Sequence, residues 1–213
     1  MPPLRSRAAV RARREEIETR ALEVVRRHLA EGHPYSEISF KAIADELGVP
    51  RTTLYMQFRD KTELLMRLSE VALAEVYDAA ASWFVFDHRT GPEGAKEAGM
   101  ETLATFREHR DVTLAVIEVT TYDPVLADHW YANVNEFATR AAQALEPLQA
   151  AGRIAPDVDL QTLAFTLVCM VERAAMIHIR HGDPADDEKV AAAVGRAVWL
   201  SIYGDAEPRD RQD

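Results

Sequence analysis

Two short apolar-periodic segments stand back to back around a glycine, and they constrain the fold more than any other part of the chain. In Ser39-Phe-Lys-Ala-Ile-Ala-Asp-Glu-Leu-Gly48-Val-Pro-Arg-Thr-Thr-Leu-Tyr-Met-Gln-Phe58, Phe40, Ile43 and Leu47 fall at helical spacing. The pattern stops at Gly48, where a helix end with positive φ is expected, and resumes near Pro50. Ile43, Ala44, Leu47, Val49, Leu54 and Phe58 supply a small shared core. This is helix-turn-helix grammar, and a second helix of this kind enters a DNA major groove by its first turns. The side chains left outside the core are Arg51, Thr52, Thr53, Tyr55 and Gln57. They are hydrogen-bonding groups with methyl and ring surfaces, the types that phosphates and base edges require. A plain helical hairpin is the competing reading of the same pattern.

Charge favours the DNA reading. Residues 1–67 carry 13 Lys/Arg against 10 Asp/Glu, whereas residues 68–213 carry 12 against 25, within a formal net charge of −10. A basic front on an acidic body suggests a nucleic-acid reader joined to something else. Residues 1–14 hold five arginines and no acid, so residues 1–12 are expected to form a mobile basic arm. The single cysteine, Cys169, excludes an intrachain disulfide and CxxC-type sites, and a buried structural thiol is expected. No apolar stretch follows the N-terminal arginines as a secretory signal would require. The apolar runs fall short of the ~20 residues of a membrane span, so a cytoplasmic protein with no membrane partner is expected.

The remaining pattern is helical almost throughout. A first helix spans about 13–31, and Asp60-Lys61-Thr62-Glu63 resembles a capping box opening a long helix to Phe84. After a break at 87–94, helical patterns cover about 92–108 and 111–121. A further helix begins at Asp123-Pro124, with Leu126, Trp130, Val134, Phe137, Ala141, Leu145 and Leu148 along one face. Two more, from Asp159 to about Arg180 and over about 186–203, complete an all-α chain. The domains expected are residues 13–67 and 68–213.

At Gly48-Val-Pro-Arg-Thr-Thr-Leu-Tyr-Met-Gln-Phe-Arg-Asp-Lys-Thr-Glu-Leu-Leu65 the chain resembles the TetR family of bacterial regulators. The resemblance implies three small DNA-binding helices, a linking fourth, and a larger helical domain for ligand binding and dimerisation. It places Arg51 and Thr52 toward bases, and Thr53, Tyr55 and Lys61 on phosphates. The position of Lys61 at a helix N-terminus suits phosphate independently, although an ordinary surface lysine is the plainer reading. Pro50 replaces the family's usual Ser and fits a first helical position, and Gln57 stands where His or Tyr is common. Farther on, Trp130, the Glu172-Arg173 pair and the ending Trp199-Leu-Ser-Ile-Tyr-Gly204 resemble regulators of the mycobacterial ethionamide-resistance type. Their apolar tunnel has polar positions that fall here on Val168 and Val171, which implies a drier pocket and a different effector.

Trp83, Phe84, Phe106, Trp130, Phe137 and Phe165 are more aromatics than a thin helical layer needs, so a ligand cavity is expected, with Thr120, Asn133 and Thr166 able to orient a guest. Each aromatic taken singly reads better as core, and Glu172-Arg173 reads as a structural ion pair or network rather than a ligand site. No Glu-x-x-His, Gly-rich phosphate loop or hydrolase motif occurs, and His178-x-x-His181 straddles a helix end. No enzyme, cofactor or metal site is therefore expected. The leading expectation is a repressor acting as a homodimer on double-stranded operator DNA and released by a small apolar effector. The alternatives are a regulator with a filled core and no effector, or a helical enzyme or carrier. The dimer is expected through the last two helices, where small Ala191, Ala193 and Gly195 would allow close approach.

Overall fold

The computed structural model describes residues 7–84 and 91–204, without the side chains of Arg7, Ala8, Val10, Val71, Leu73, Ser82 and Phe84. The break expected at 87–94 and the arm's first six residues thus lie largely outside the described residues. The described elements are helical: α1 Arg7–Ala30, α2 Phe40–Leu47, α3 Arg51–Tyr55, α4 Lys61–Ala80, α5 Pro92–Glu108, α6 Arg110–Thr120, α7 Pro124–Ala150, α8 Leu160–His181 and α9 Asp187–Tyr203. No strand occurs among them. Helix α1 starts at Arg7, six residues before the expected Arg13, so half of the supposed arm is helix. Arginine is a good helix former, and the Arg11–Glu15 pair at i,i+4 supports that first stretch.

Local chemistry explains the short helices. Ser39 accepts a hydrogen bond from Ala42 N at 3.1 Å and so caps α2. Gly48 closes it in the left-handed region at φ 65°. Pro50 sits one place earlier than expected, at the N-cap of α3 with extended ψ rather than inside the helix. Asp60 Oδ1 accepts from Glu63 N at 2.9 Å, and Glu63 returns the favour to Arg59 N at 2.6 Å. The return bond lands one residue before the cap, a shifted version of the expected capping box. Helix α4 ends at Ala80, and residues 81–84 tighten into a 3-10 turn.

The chain groups into two compact units. The first comprises residues 1–71 with 111–127, and the second residues 72–110 with 128–213. The front half thus takes α6 from the middle of the chain. Glu118 of α6 accepts hydrogen bonds from the backbone amides of Tyr35 and Ser36, each at 3.2 Å. Asp123 accepts from the Thr62 hydroxyl. Val25, Tyr35, Ile43, Leu54, Phe58, Leu64, Leu65, Leu68 and Val116 are buried side chains of this first unit.

In the second unit α5 and α9 pack closest. A β-carbon on Gly195 would lie 2.7 Å from the carbonyl carbon of Ala95, and one on Gly99 would lie 3.2 Å from the β-carbon of Ala191. The small residues of α9 at 191 and 195 are therefore used inside the chain, against α5, and not as the approach surface of a second copy. Arg107 and His178 meet on the Asp187 carboxylate, with Arg107 Nε at 2.6 Å and His178 Nε2 at 2.6 Å. That settles His178 as part of a charged cluster rather than half of a metal pair with His181. Helix α8 spans 22 residues, and an 18-residue window of it reaches a mean hydropathy of 1.5, long and apolar enough by those measures alone to cross a bilayer, as core helices also can be. Its Ala164, Leu167, Val168, Ala175, Met176 and Ile179 are buried within the unit, and Cys169 is half-buried rather than buried.

Candidate functional site

Two surfaces carry chemistry, one in each unit. The first is the outer face of α3. Leu54 is fully buried against the α2–α3 core, which leaves Arg51 and Thr52 exposed and Thr53 and Gln57 half-buried. Tyr55 is 48% exposed, with one face of its ring 5.0 Å from the Phe40 ring. Arg51 lies over that same ring and donates from Nη2 to the Tyr55 hydroxyl at 2.6 Å. Arg51 must leave this partner, or share it, to reach a base edge. Arg14 of α1 reaches across and donates to the Met56 carbonyl at 2.9 Å, which fixes the end of α3 against α1.

Lys61 stands differently from its neighbours. Its Nζ donates to the Tyr35 carbonyl at 2.8 Å and to the Ser36 carbonyl at 3.0 Å, over the Tyr35 ring. An ammonium has three donors, so one is left for a phosphate. Burial lowers the Lys61 pKa, with the Glu118 charge acting against it. The lysine thus locks the α1–α2 connection before it can do anything else. At the end of α1, His28, Glu31 and His33 bring ligand atoms within 4.8 Å of one another, the residues here able to hold a metal. Glu46 already engages His28, along with Arg27.

The second surface is a small cavity of about 40 Å³ in the second unit. Trp83, Phe106, Trp130, Phe137, Val168 and Val171 line it, as do Val76, Tyr77, Ala80, Thr102, Val134, Leu167, Glu172 and Val198. Of the residues expected around a ligand, Thr120, Asn133 and Phe165 stand elsewhere. Thr120 belongs to α6 in the first unit and donates to the Ile117 carbonyl at 3.1 Å. Asn133 pairs with His129 at 3.1 Å on its own helix, and Phe165 meets the ring of Tyr131 edge-on. Thr166 is exposed and bonds back to the Thr162 carbonyl. The side chain of Phe84 lies outside the described residues.

The polar groups of the cavity are few. Trp83 Nε1 donates to Thr102 Oγ1 at 2.9 Å, and Thr102 donates on to the Ala98 carbonyl at 2.9 Å. Trp130 Nε1 donates to Glu172 Oε1 at 2.9 Å. Burial raises the Glu172 pKa, against the pull of the Trp130 hydrogen bond and the Arg173 charge. Its partner is therefore Trp130 on α7, and Arg173 is exposed instead of closing the expected ion pair. Tyr77 stacks on Phe137 with ring centroids 4.7 Å apart, and its buried hydroxyl has no hydrogen-bond partner among the described residues. Burial and then the Glu172 charge raise the Tyr77 pKa. Sequence reasoning missed Tyr77 and Thr102, whose types and spacing match ordinary core. Glu172 had a signal: with Arg173 it interrupts the apolar run from Leu167 to Met176.

Comparison with known proteins bears on both surfaces. Residues 27–68 match the profile described as "Bacterial regulatory proteins, tetR family". Residues 96–204 match that of "Transcriptional regulator EthR, C-terminal domain". No curated protein matches the chain. Among solved structures, one from Mesorhizobium loti MAFF303099, described as a TetR-family transcriptional regulator, is 19% identical, with 90% of this chain and 98% of that one covered at a TM-score of 0.66. Salmonella enterica GusR is 15% identical, with 89% and 96% covered and a TM-score of 0.66. A Saccharomonospora viridis protein described as a transcriptional regulator, in complex with choline, is 20% identical, with 84% and 94% covered and a TM-score of 0.61.

Proposed function

Because the chain belongs to the TetR family of bacterial regulators and carries a C-terminal domain of the EthR type, we propose that it is a ligand-responsive repressor, dimeric on operator DNA. DNA-binding regulation is what the family membership supports. The repressor sign, the release by a ligand and the cytoplasmic location are the finer parts of the reading.

The observation that carries the ligand-responsive part is the aromatic cavity of the second unit, lined by Trp83, Phe106, Trp130 and Phe137. Small molecules bind in clefts lined by apolar and aromatic groups with few polar ones, and this one has that lining at a volume that must widen to admit a guest. It favours a guest-binding regulator over one with a filled core. That a structural neighbour was solved with choline supports small-molecule binding on this fold. On this reading Arg51 and Thr52 meet bases, while Thr53, Tyr55, Gln57 and the remaining donor of Lys61 meet phosphates. The dimer forms through α8 and α9, on which Ile177 and Leu200 are 49% and 45% exposed.

Mechanistically, a ligand that favours one of two conformations of the dimer shifts the population away from the DNA-binding one. Coupling is reciprocal, so operator DNA weakens ligand binding by the same factor. The test begins by selecting bound fragments from the host's genomic DNA with the purified protein. Operator release is then measured against a small-molecule panel. Binding of one sequence over others, abolished by a cavity ligand and restored by its removal, is the expected result. Specific DNA binding that no ligand of any class alters leaves a regulator without an effector, and no specific binding overturns the whole reading.

A further inference from the structure

The cavity leaves two polar groups short of partners. The Tyr77 hydroxyl is buried and meets no hydrogen-bond partner among the described residues, while its ring is held flat against Phe137. Glu172 receives one hydrogen bond, from Trp130, although a carboxylate has about four lone-pair sites. Thr102, the other polar side chain of the lining, is satisfied as both acceptor and donor. Among the described residues, no Lys, Arg or His lines the space. What the cavity still offers a guest is therefore the free lone pairs of a carboxylate and a phenol that can donate or accept, set among aromatic rings.

We propose that the guest is an apolar molecule carrying one protonated amine, whose ammonium docks on Glu172 and Tyr77 among the aromatic rings. This rests on the ligand-responsive reading above and specifies its ligand class. A guest without a donor would bury Glu172 more deeply and leave its lone pairs unpaired, even where it accepted from the Tyr77 hydroxyl. An anion would meet the carboxylate's charge. An ammonium supplies N–H donors to both groups, and its charge is attracted to the faces of the surrounding rings. Burial disfavours the charged carboxyl in the empty cavity, and an arriving cation offsets that. At longer range, the acid excess of residues 68–213, 25 Asp/Glu against 12 Lys/Arg, concentrates cations and repels anions. Arg140, the cation near the Tyr77–Phe137 stack, is exposed and lies 6.0 Å from the Tyr77 ring centroid.

The test uses the full-length protein near neutral pH. A short homologous series of phenylalkylamines is titrated alongside the alcohols and carboxylic acids of matched length. Binding is followed by tryptophan fluorescence, to which Trp83 and Trp130 in the lining contribute, and by release of a selected operator fragment. At least one amine is expected to bind about tenfold or more tightly than its alcohol, with the acid weakest, since charge-assisted hydrogen bonds are about twice as strong as neutral ones. Glu172→Gln, which keeps an oxygen for Trp130, is expected to bring the amine-to-alcohol ratio to about one. Tyr77→Phe keeps the stack and is expected to lower that ratio about threefold. It carries the test if Glu172→Gln fails to fold by circular dichroism. Alcohols that bind and release DNA as well as the amines do, or an amine preference that survives both substitutions, overturns the amine and leaves the ligand-responsive reading standing. If no member of any series binds or releases DNA, the amine proposal falls, and the ligand-responsive reading is decided by the wider small-molecule panel.

Discussion

The two units spend their side chains in opposite ways. In the first, buried positions are filled and the polar groups around them are satisfied: Leu54 and Ile43 are fully enclosed, and the backbone around Tyr35 and Ser36 is held by Lys61 and Glu118. In the second, a space stays open between aromatic walls, and Tyr77 and Glu172 remain under-partnered inside it. A surface that reads DNA gains from rigidity, because its donors must be held in register with a fixed lattice of phosphates and bases. A chamber for a guest gives up packing and hydrogen bonds that the guest later restores.

That contrast can be broken by experiment. The largest effect expected is Leu54→Ala, which opens a void between α2 and α3 where nothing can collapse, at about 2–5 kcal/mol in urea unfolding. A loss below about 1 kcal/mol would mean the first unit is no better packed than the second. Next, Arg51→Ala is expected to weaken operator binding by about 1–3 kcal/mol and to relax the preference at one base position, measured by titration against single-base operator variants. Unchanged specificity would assign Arg51 to its Tyr55 contact alone. In the second unit, Val171→Phe should fill space without harm, shifting stability by no more than about 0.5–2 kcal/mol in the favourable direction while abolishing ligand response. A strong destabilisation would show that the chamber is already full.

Lys61→Ala sharpens the comparison within the first unit. Loss of two hydrogen bonds to backbone carbonyls is expected to lower stability by about 1–2 kcal/mol, given ~0.5–1.5 kcal/mol for each bond. If its third donor also meets a phosphate, the salt slope of DNA binding falls by about one unit. An unchanged slope with lowered stability makes Lys61 purely a lock. The last effect is a pH dependence. Burial raises the Glu172 pKa in the folded state. Its favourable contribution is therefore complete below the unfolded value of about 4.3 and is lost as pH rises through the folded value. Glu172→Gln should be more stable than the parent near neutrality, and the difference should close toward about pH 4. Urea melts across that range check it, and a gap independent of pH would place the Glu172 carboxyl in solvent.

What could be read from the sequence follows the reach of each interaction. Ser39, Gly48 and Asp60 act on neighbours within three or four residues, so the start and stop of α2 and the start of α4 were legible. The outward set on α3 was legible because Leu54 and Phe58 fix the helix's buried side. The early start of α1 was not, since an arginine-rich stretch reads as a free arm until its i,i+4 partners are counted. Aromatic type announced a chamber, and Trp83, Phe106, Trp130 and Phe137 do line one. Direction could not be read in the same way: Asn133 turns to His129 and Phe165 to Tyr131, along rotations that helical spacing does not specify. Nor could the true use of Gly195, whose missing side chain matters only because Ala95 lies a hundred residues away along the chain.

The grip of Glu118 on Tyr35 and Ser36 also sets an order of events at birth. The front unit cannot finish on its own amino-terminal stretch, because residues 111–127 belong to it and emerge only after residues 72–110 have been made. At synthesis rates of about 5–20 residues per second, α1 to α3 wait several seconds for the helix that completes them. During that interval the amides of Tyr35 and Ser36 have only water to bond, and a nascent chain halted before α6 would display them. The front unit is thus completed after residues 72–110 have been translated, but before the larger share of the second unit, residues 128–213, exists.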